Sequence, residues 1–226
     1  MPHTPSAAPR GAGALLGGAT IVAALALALH PAEGGTTAAE ILAAIVAGGV
    51  RAHLVHGALI AAFVGYALAF TEFAVLLGLR RPLVRAALVA YLLGTALILA
   101  AGLIDGFAIL DVARHFLAAG PDGIKTGFDL IVFGDIVVQN WIDLGLALVS
   151  LATSLWSLAL FAHGAGHRLT AVTGLLAGLL SIALLLGSVP SLAPFQLMAL
   201  LAVQAIWNLA AARLMLWGQG IPTLAR

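Results

Sequence analysis

The stretch from Arg51 to Arg81 constrains the fold more than any other part of the chain. It contains a run of about twenty apolar residues, which is the length that a helix needs to cross a hydrocarbon core of about 30 Å. Two histidines, His53 and His56, lie at its start, and the pair Arg80–Arg81 closes it. The stretch therefore predicts a transmembrane helix.

Composition extends this prediction to the whole chain. Of its 226 residues, 62% are hydrophobic and 8% are charged, whereas soluble domains carry about 25% charged residues. So few polar side chains cannot cover a globular surface, and we expect the lipid bilayer to surround most of the protein. A net charge of +1 argues against a nucleic-acid partner, and the lack of cysteine excludes disulfides, thiol catalysis and thiolate metal sites.

Six apolar runs predict an all-α, polytopic bundle of six transmembrane helices, with residues 1–226 as a single integral membrane domain. The predicted spans are residues 12–29, 56–79, 83–104, 142–162, 169–189 and 195–217. The first run could also be a signal peptide, but it is longer than the usual apolar core of about 7–15 residues. We therefore favour a retained helix.

Two connections predict short interfacial helices on the outer side. Thr36 or Thr37 can cap a separate amphipathic helix over residues 38–50, with Glu40 in its first turn. After Asp105 the charges become too frequent for lipid, which predicts a short surface helix, a turn at residues 120–123 and a half-buried segment before the fourth span.

The Lys and Arg residues predict the orientation. Seven of them fall on one side of the predicted bundle and three on the other: Arg10, Arg80, Arg81, Arg85, Arg168, Arg213 and Arg226 against Arg51, Arg114 and Lys125. Positive residues are enriched in cytoplasmic loops. Both termini are therefore predicted to be cytoplasmic.

Polar side chains of three predicted spans reach the same level at the outer interface. Counting 1.5 Å per residue from the cytoplasmic end of each helix brings together His53, His56, Asp105, Asn140 and Asp143. Histidine with carboxylate suits a small ligand, a proton-transfer site or a divalent metal, but solvated helix ends would give the same pattern. The chain has no HExxH motif, so the sequence leaves the metal and any cofactor unknown.

Glu72 lies deeper and is the predicted proton donor or acceptor. A carboxylate inside a membrane usually faces the bundle interior. A stripe of small residues also runs down this helix from His53 in four-residue steps, through Gly57, Ala61, Gly65 and Ala69. We therefore expect Glu72 and His53 to border one interior groove, with His56 towards the flank. The alternative is a protonated, structural Glu72 hydrogen-bonded to Tyr91 or Asn208.

The pair Gly174–Gly178 can bring helices close together. In so glycine-rich a chain, this spacing favours packing inside the bundle over a dimer contact.

Three functions remain open from these residues. The first is a binding or catalytic membrane protein with a polar pocket open to the outer face. The second is a small proton-coupled transporter that uses Glu72, and the third is a non-enzymatic accessory subunit that docks a partner through residues 105–140. A homo-oligomer or a partner membrane protein is compatible with each.

Three short motifs also suggest a relationship. They are His30-Pro31, the sequence RAHLVHG at residues 51–57 and the sequence LIDGFAILDVA at residues 103–113. Together they resemble a group of uncharacterised bacterial six-helix inner-membrane proteins, over most of the chain. The resemblance implies a bacterial inner membrane. It implies no catalytic residues, because the group has no established activity.

Overall fold

A computed structural model describes residues 7–30, 34–162, 167–187 and 194–217. These residues form α1 (Ala7–Ala28), α2 (Ala38–Leu77), α3 (Pro82–Leu103), a π-helical turn (Ile104–Ala108), α4 (Ile109–Leu117), α5 (Gly120–Phe161), α6 (Arg168–Gly187) and α7 (Pro194–Trp217). Six helical stretches of the described chain are long and apolar enough to cross a membrane. The all-α six-helix bundle of a multi-pass membrane protein is thus confirmed.

The six long helices form a closed ring. Going round it, α1 packs on α2, α2 on α3, α3 on α5, α5 on α6, α6 on α7, and α7 returns to α1. Large aromatic side chains fill the centre: Phe70, Phe73, Tyr91, Trp156 and Trp207 are all buried. Leucines such as Leu25, Leu93 and Leu176 are exposed on the outside, as expected of a surface whose solvent is lipid.

Glycines set the closest helix crossings. A Cβ on Gly94 of α3 would lie 2.6 Å from the carbonyl oxygen of Gly145 in α5, so the two backbones touch. In α6, Gly174 and Gly178 face Ser157 and Ser154 of α5 in the same way. The predicted use of this glycine pair for packing inside the bundle is confirmed.

Replacing Gly178 by alanine should destabilise the bundle by about 1–3 kcal/mol, because an overpacked interior forces the backbone to shift. The new Cβ would overlap the Ser154 hydroxyl and lie 2.6 Å from the carbonyl oxygen of Ser150. Thermal unfolding in detergent measures the effect. Gly187→Ala in the same helix is the control, because its Cβ would meet no atom within 4 Å. Equal unfolding midpoints for the two variants would contradict the prediction.

Two helices are longer than a bilayer is thick. α2 has 40 residues and α5 has 42, about 60 Å each at 1.5 Å per residue, whereas a bilayer with its headgroups measures about 40–45 Å. Their excess lies at one end of the ring, where α4 packs on both. We call this region the cap; its own small core consists of Leu42, Ile109, Ala113 and Ile131.

The predicted separate interfacial helix over residues 38–50 is wrong, because α2 runs without a break from Ala38 to Leu77. Gly48 and Gly49 do not interrupt it. Instead, Gly49 is buried where the side chains of Leu110 and Arg114 approach the backbone of α2. The predicted helix start is confirmed, since Thr37 and Glu40 form a reciprocal capping box.

The expected break before residue 142 is also wrong, because α5 is continuous from Gly120 to Phe161. Gly120 and Pro121 mark its first turn, where proline is tolerated, and Gly127 lets Phe116 of α4 pack against the helix. The predicted ends of the fifth span, at residues 188–189, and both chain termini lie outside the described residues.

Candidate metal centre

His56 is a buried polar side chain of α2 at the base of the cap. Its side chain is only 6% exposed, and its Nδ1 lies 2.9 Å from the carbonyl oxygen of Ala52, one turn earlier in α2. A carbonyl can only accept a hydrogen bond, so Nδ1 carries the proton. This fixes the tautomer and leaves the lone pair of a neutral imidazole on Nε2.

The π-helical turn brings the Asp105 carboxylate to Nε2 of His56, and a proton on Nε2 makes this contact a hydrogen-bonded ion pair. The turn inserts an extra residue between α3 and α4, and the N–H of Ile109 reaches back to the carbonyl oxygen of Ile104. The Oδ2 of Asp105 lies 2.9 Å from Nε2 of His56, and the Asp105 side chain is 29% exposed. Such π-helical turns are rare and often occur at functional sites.

Gly106 makes this approach possible. A Cβ at this position would overlap the Cβ and Cγ of His56. The imidazole therefore lies directly against the backbone of the π-helical turn, in a space that only glycine leaves free.

His30 completes a group of three. It lies just beyond the end of α1, and its N–H donates to the carbonyl oxygen of Leu27. Its Nε2 is 3.4 Å from Nε2 of His56. Sequence reasoning quoted His30 only as part of a motif and missed it as a site residue, although a histidine at the outer end of the first span belongs to the same predicted level.

Arg51 holds the end of α1 in place. Its Nε donates to the carbonyl oxygen of Leu29 at 2.9 Å, one of the carbonyls left without a partner at a helix C-terminus. A cation there also interacts favourably with the helix dipole. Arg51 thereby ties the segment carrying His30 to α2, the helix that carries His56.

Arg51→Gln should therefore weaken any binding of Zn²⁺ between His30 and His56 by about 10-fold, the lower end of the effect expected when a residue supporting metal ligands is removed. Calorimetric titration of the purified protein with Zn²⁺ measures it. Arg114→Gln is the matched control, because Arg114 is also an arginine of the cap but pairs with Asp111 instead. Equal losses in both variants would show that Arg51 has no specific role in positioning His30.

The ligand atoms of His30, His56 and Asp105 all lie within 4.8 Å of one another. Among the described residues, no second set of three His, Asp or Glu side chains comes as close together. A proton on Nε2 of His56 makes its contact with Asp105 a hydrogen bond, and a divalent cation lying between the three groups could replace that proton.

His53 takes a different position from the one predicted. It lies one turn before His56 and is half-buried, with its ring stacked on Phe107 of the π-helical turn at 4.8 Å between centroids. The expected rotation of α2, with His53 inward and His56 towards the flank, is wrong. Because the backbone of Gly106 in the π-helical turn lies directly against His56, His56 is the buried histidine of the two.

Glu72 does not face the interior, and that expectation is wrong. Its side chain is exposed on the outer surface of the ring, on the helix face that also exposes Leu68 and Val75. The buried face of α2 at this depth is defined by Phe70 and Phe73. Large aromatic side chains bury more surface than alanine or glycine, so they set the rotation of the helix.

Asn140 and Asp143 make their hydrogen bonds within α5. The Asn140 amide donates to the carbonyl oxygen of Ile136, and Asp143 accepts from Gln139. They are not part of the group formed by His30, His56 and Asp105. The structure thus joins two of the predicted site residues, His56 and Asp105, and adds His30.

Comparison of the chain with protein-family models, curated proteins and solved structures found no match.

Proposed function

We propose that this chain is a multi-pass protein of the bacterial inner membrane that binds a divalent transition metal through His30, His56 and Asp105. The observation that carries the proposal is the convergence of these three ligand atoms within 4.8 Å. They come from three separate parts of the chain: the segment that follows α1, the middle of α2 and the π-helical turn after α3.

The donor set suits Zn²⁺ or Fe²⁺. Two imidazoles with one carboxylate occur in catalytic zinc sites and in non-haem iron sites. With metal–ligand bonds of 2.0–2.1 Å, neighbouring ligands in a tetrahedral site are about 3.3 Å apart. The 3.4 Å between the two imidazole nitrogens and the 2.9 Å between His56 and Asp105 are close to that spacing.

The groups around His56 also support metal binding. Metal-bound histidines usually donate their other ring N–H to a carbonyl or a carboxylate, and His56 does so to Ala52. The contact with the Gly106 backbone fixes the ring plane. His56 is therefore held for ligation before any metal arrives.

The charges at the cap end favour a cation. Among the described residues, the acidic side chains of this end are Glu40, Asp105, Asp111, Asp122, Asp129, Asp135 and Asp143, against Arg51, Arg114 and Lys125. An acidic surface raises the local concentration of cations and speeds their association. Because Arg80, Arg81 and Arg85 lie at the opposite end, the rule that positive residues stay inside supports a cytoplasmic position for that end and an outer position for the cap.

Calorimetric titration of metal-free, full-length protein with Zn²⁺ and with Fe²⁺ tests the proposal. We expect one metal per chain and an affinity that falls as the pH is lowered below neutral, because protonated imidazole has no lone pair for a metal. His30→Ala should weaken binding strongly. Binding that is unchanged in His30→Ala, or that does not respond to acid, would reject the site.

A further inference from the structure

We infer that a metal in this site keeps one coordination position free of protein ligands, and that this position faces outwards and takes an anionic oxygen ligand. The inference rests on the proposed metal binding and adds to it the class of ligand. Its basis is the number of protein donors and the uneven exposure of the three side chains.

The residues that the structure describes supply three donors. Among the described side chains, no fourth His, Asp or Glu atom joins the group, the chain has no cysteine, and the nearest other histidine on α2, His53, is stacked on Phe107. Structural zinc sites have four protein ligands, whereas catalytic sites have three and hold water or substrate in the fourth position.

The described residues cover the site from one side. The backbone of Gly106 covers His56, and the His56 side chain is 6% exposed. On the other side, Asp105 is 29% exposed and His30 is exposed. We therefore infer that the remaining coordination position points away from α2, past His30.

An anionic oxygen suits that position. A divalent metal held by two neutral imidazoles and one carboxylate keeps a net charge of about +1, which a carboxylate or phosphate oxygen can neutralise. Such an oxygen can come from a solute in water or from a lipid headgroup. Both are within reach, because the neighbouring apolar residues Leu29 and Leu103 are 58% and 54% exposed and so place the site beside lipid.

Cobalt substitution tests the inference. The full-length protein, reconstituted in nanodiscs and loaded with Co²⁺, is titrated with azide as a small anionic probe while the visible absorption bands are followed. We expect the bands to shift and to saturate at one azide per metal. Repeating the titration with inorganic phosphate, and in nanodiscs with and without phosphatidylglycerol, separates the two sources of oxygen.

Each result has a defined meaning. Azide affinity that is equal in both nanodiscs, with competition by phosphate, supports a ligand from water, and weaker azide binding with phosphatidylglycerol supports a lipid phosphate. Stoichiometric Co²⁺ binding without any spectral response to azide overturns the open position but leaves the metal site standing. Failure to bind Co²⁺ rejects the proposed function itself. His53→Ala is the control and should respond to azide as the unmodified protein does.

Discussion

His56→Ala is expected to lower the affinity of the purified protein for Zn²⁺ by at least about 100-fold. Loss of residues that merely support metal ligands costs about 10–100-fold, and His56 is the proposed central ligand, with its Nε2 in contact with both Asp105 and His30. Truncation would leave one exposed imidazole and one partly exposed carboxylate on separate elements. Calorimetric titration at neutral pH measures the change.

His53→Ala is the matched control for this experiment. It removes the same side chain one turn earlier in α2, where the ring stacks on Phe107, and should leave the Zn²⁺ affinity unchanged. An equal loss of affinity in the two variants would mean that both act through the packing of α2 against the π-helical turn and not through ligation.

Gly106→Ala should damage both stability and metal binding. The added methyl group would overlap the Cβ and Cγ of His56, so either the imidazole or the π-helical turn has to move. Overpacking of this kind costs about 1–3 kcal/mol, and any movement separates His56 from Asp105. We expect a lower unfolding midpoint in detergent together with a Zn²⁺ affinity reduced by at least about 10-fold.

Gly102→Ala separates this effect from a general loss of helix packing. Gly102 lies one turn earlier, in α3, and a Cβ there would meet only Ile60, at 3.8 Å, an ordinary contact. This variant should bind metal normally and unfold at or above the temperature of the unmodified protein, since alanine favours helix more than glycine does. Normal Zn²⁺ affinity in Gly106→Ala would contradict the prediction, because it would show that Zn²⁺ binding does not depend on the exact position of His56.

The sequence was sufficient to predict features that depend on length and local chemistry. The number of apolar runs predicted six spans, and the spacing of Thr37 and Glu40 predicted the start of α2. Counting residues along each helix placed His56 and Asp105 at one height, and their side chains are 2.9 Å apart. Height follows from the rise per residue, which is nearly constant.

Rotation about the helix axis could not be predicted in the same way. In α2 most residues are apolar on every side, so periodicity gives little information on which face is buried. The stripe of small residues suggested an inward Glu72, whereas the packing of Phe70 and Phe73 against Trp156 turns it outwards. The choice depends on partners from α5, which are distant in the sequence.

The continuity of α2 and α5 could not be predicted from the sequence for a related reason. The amphipathic pattern of residues 38–50, the charges after Asp105 and the turn signal at residues 120–123 suggested separate segments, because charges are unfavourable in lipid and glycine is unfavourable in isolated helices. In the cap they are outside the most apolar part of the bundle, and Gly49 and Gly127 serve instead as contact points for α4. His30 was missed because its position depends on the bond from Arg51 across the α1–α2 connection.

The three proposed metal ligands come early in the chain, and this has a consequence for biosynthesis. His30, His56 and Asp105 all precede α4, so the three proposed ligands leave the ribosome before α6 and α7 are made, and early segments can fold before later ones exist. A metal ion captured at that stage would clamp the first three spans together inside the inserting chain. A shortage of the metal would then impair the assembly of the helices before the ring is complete.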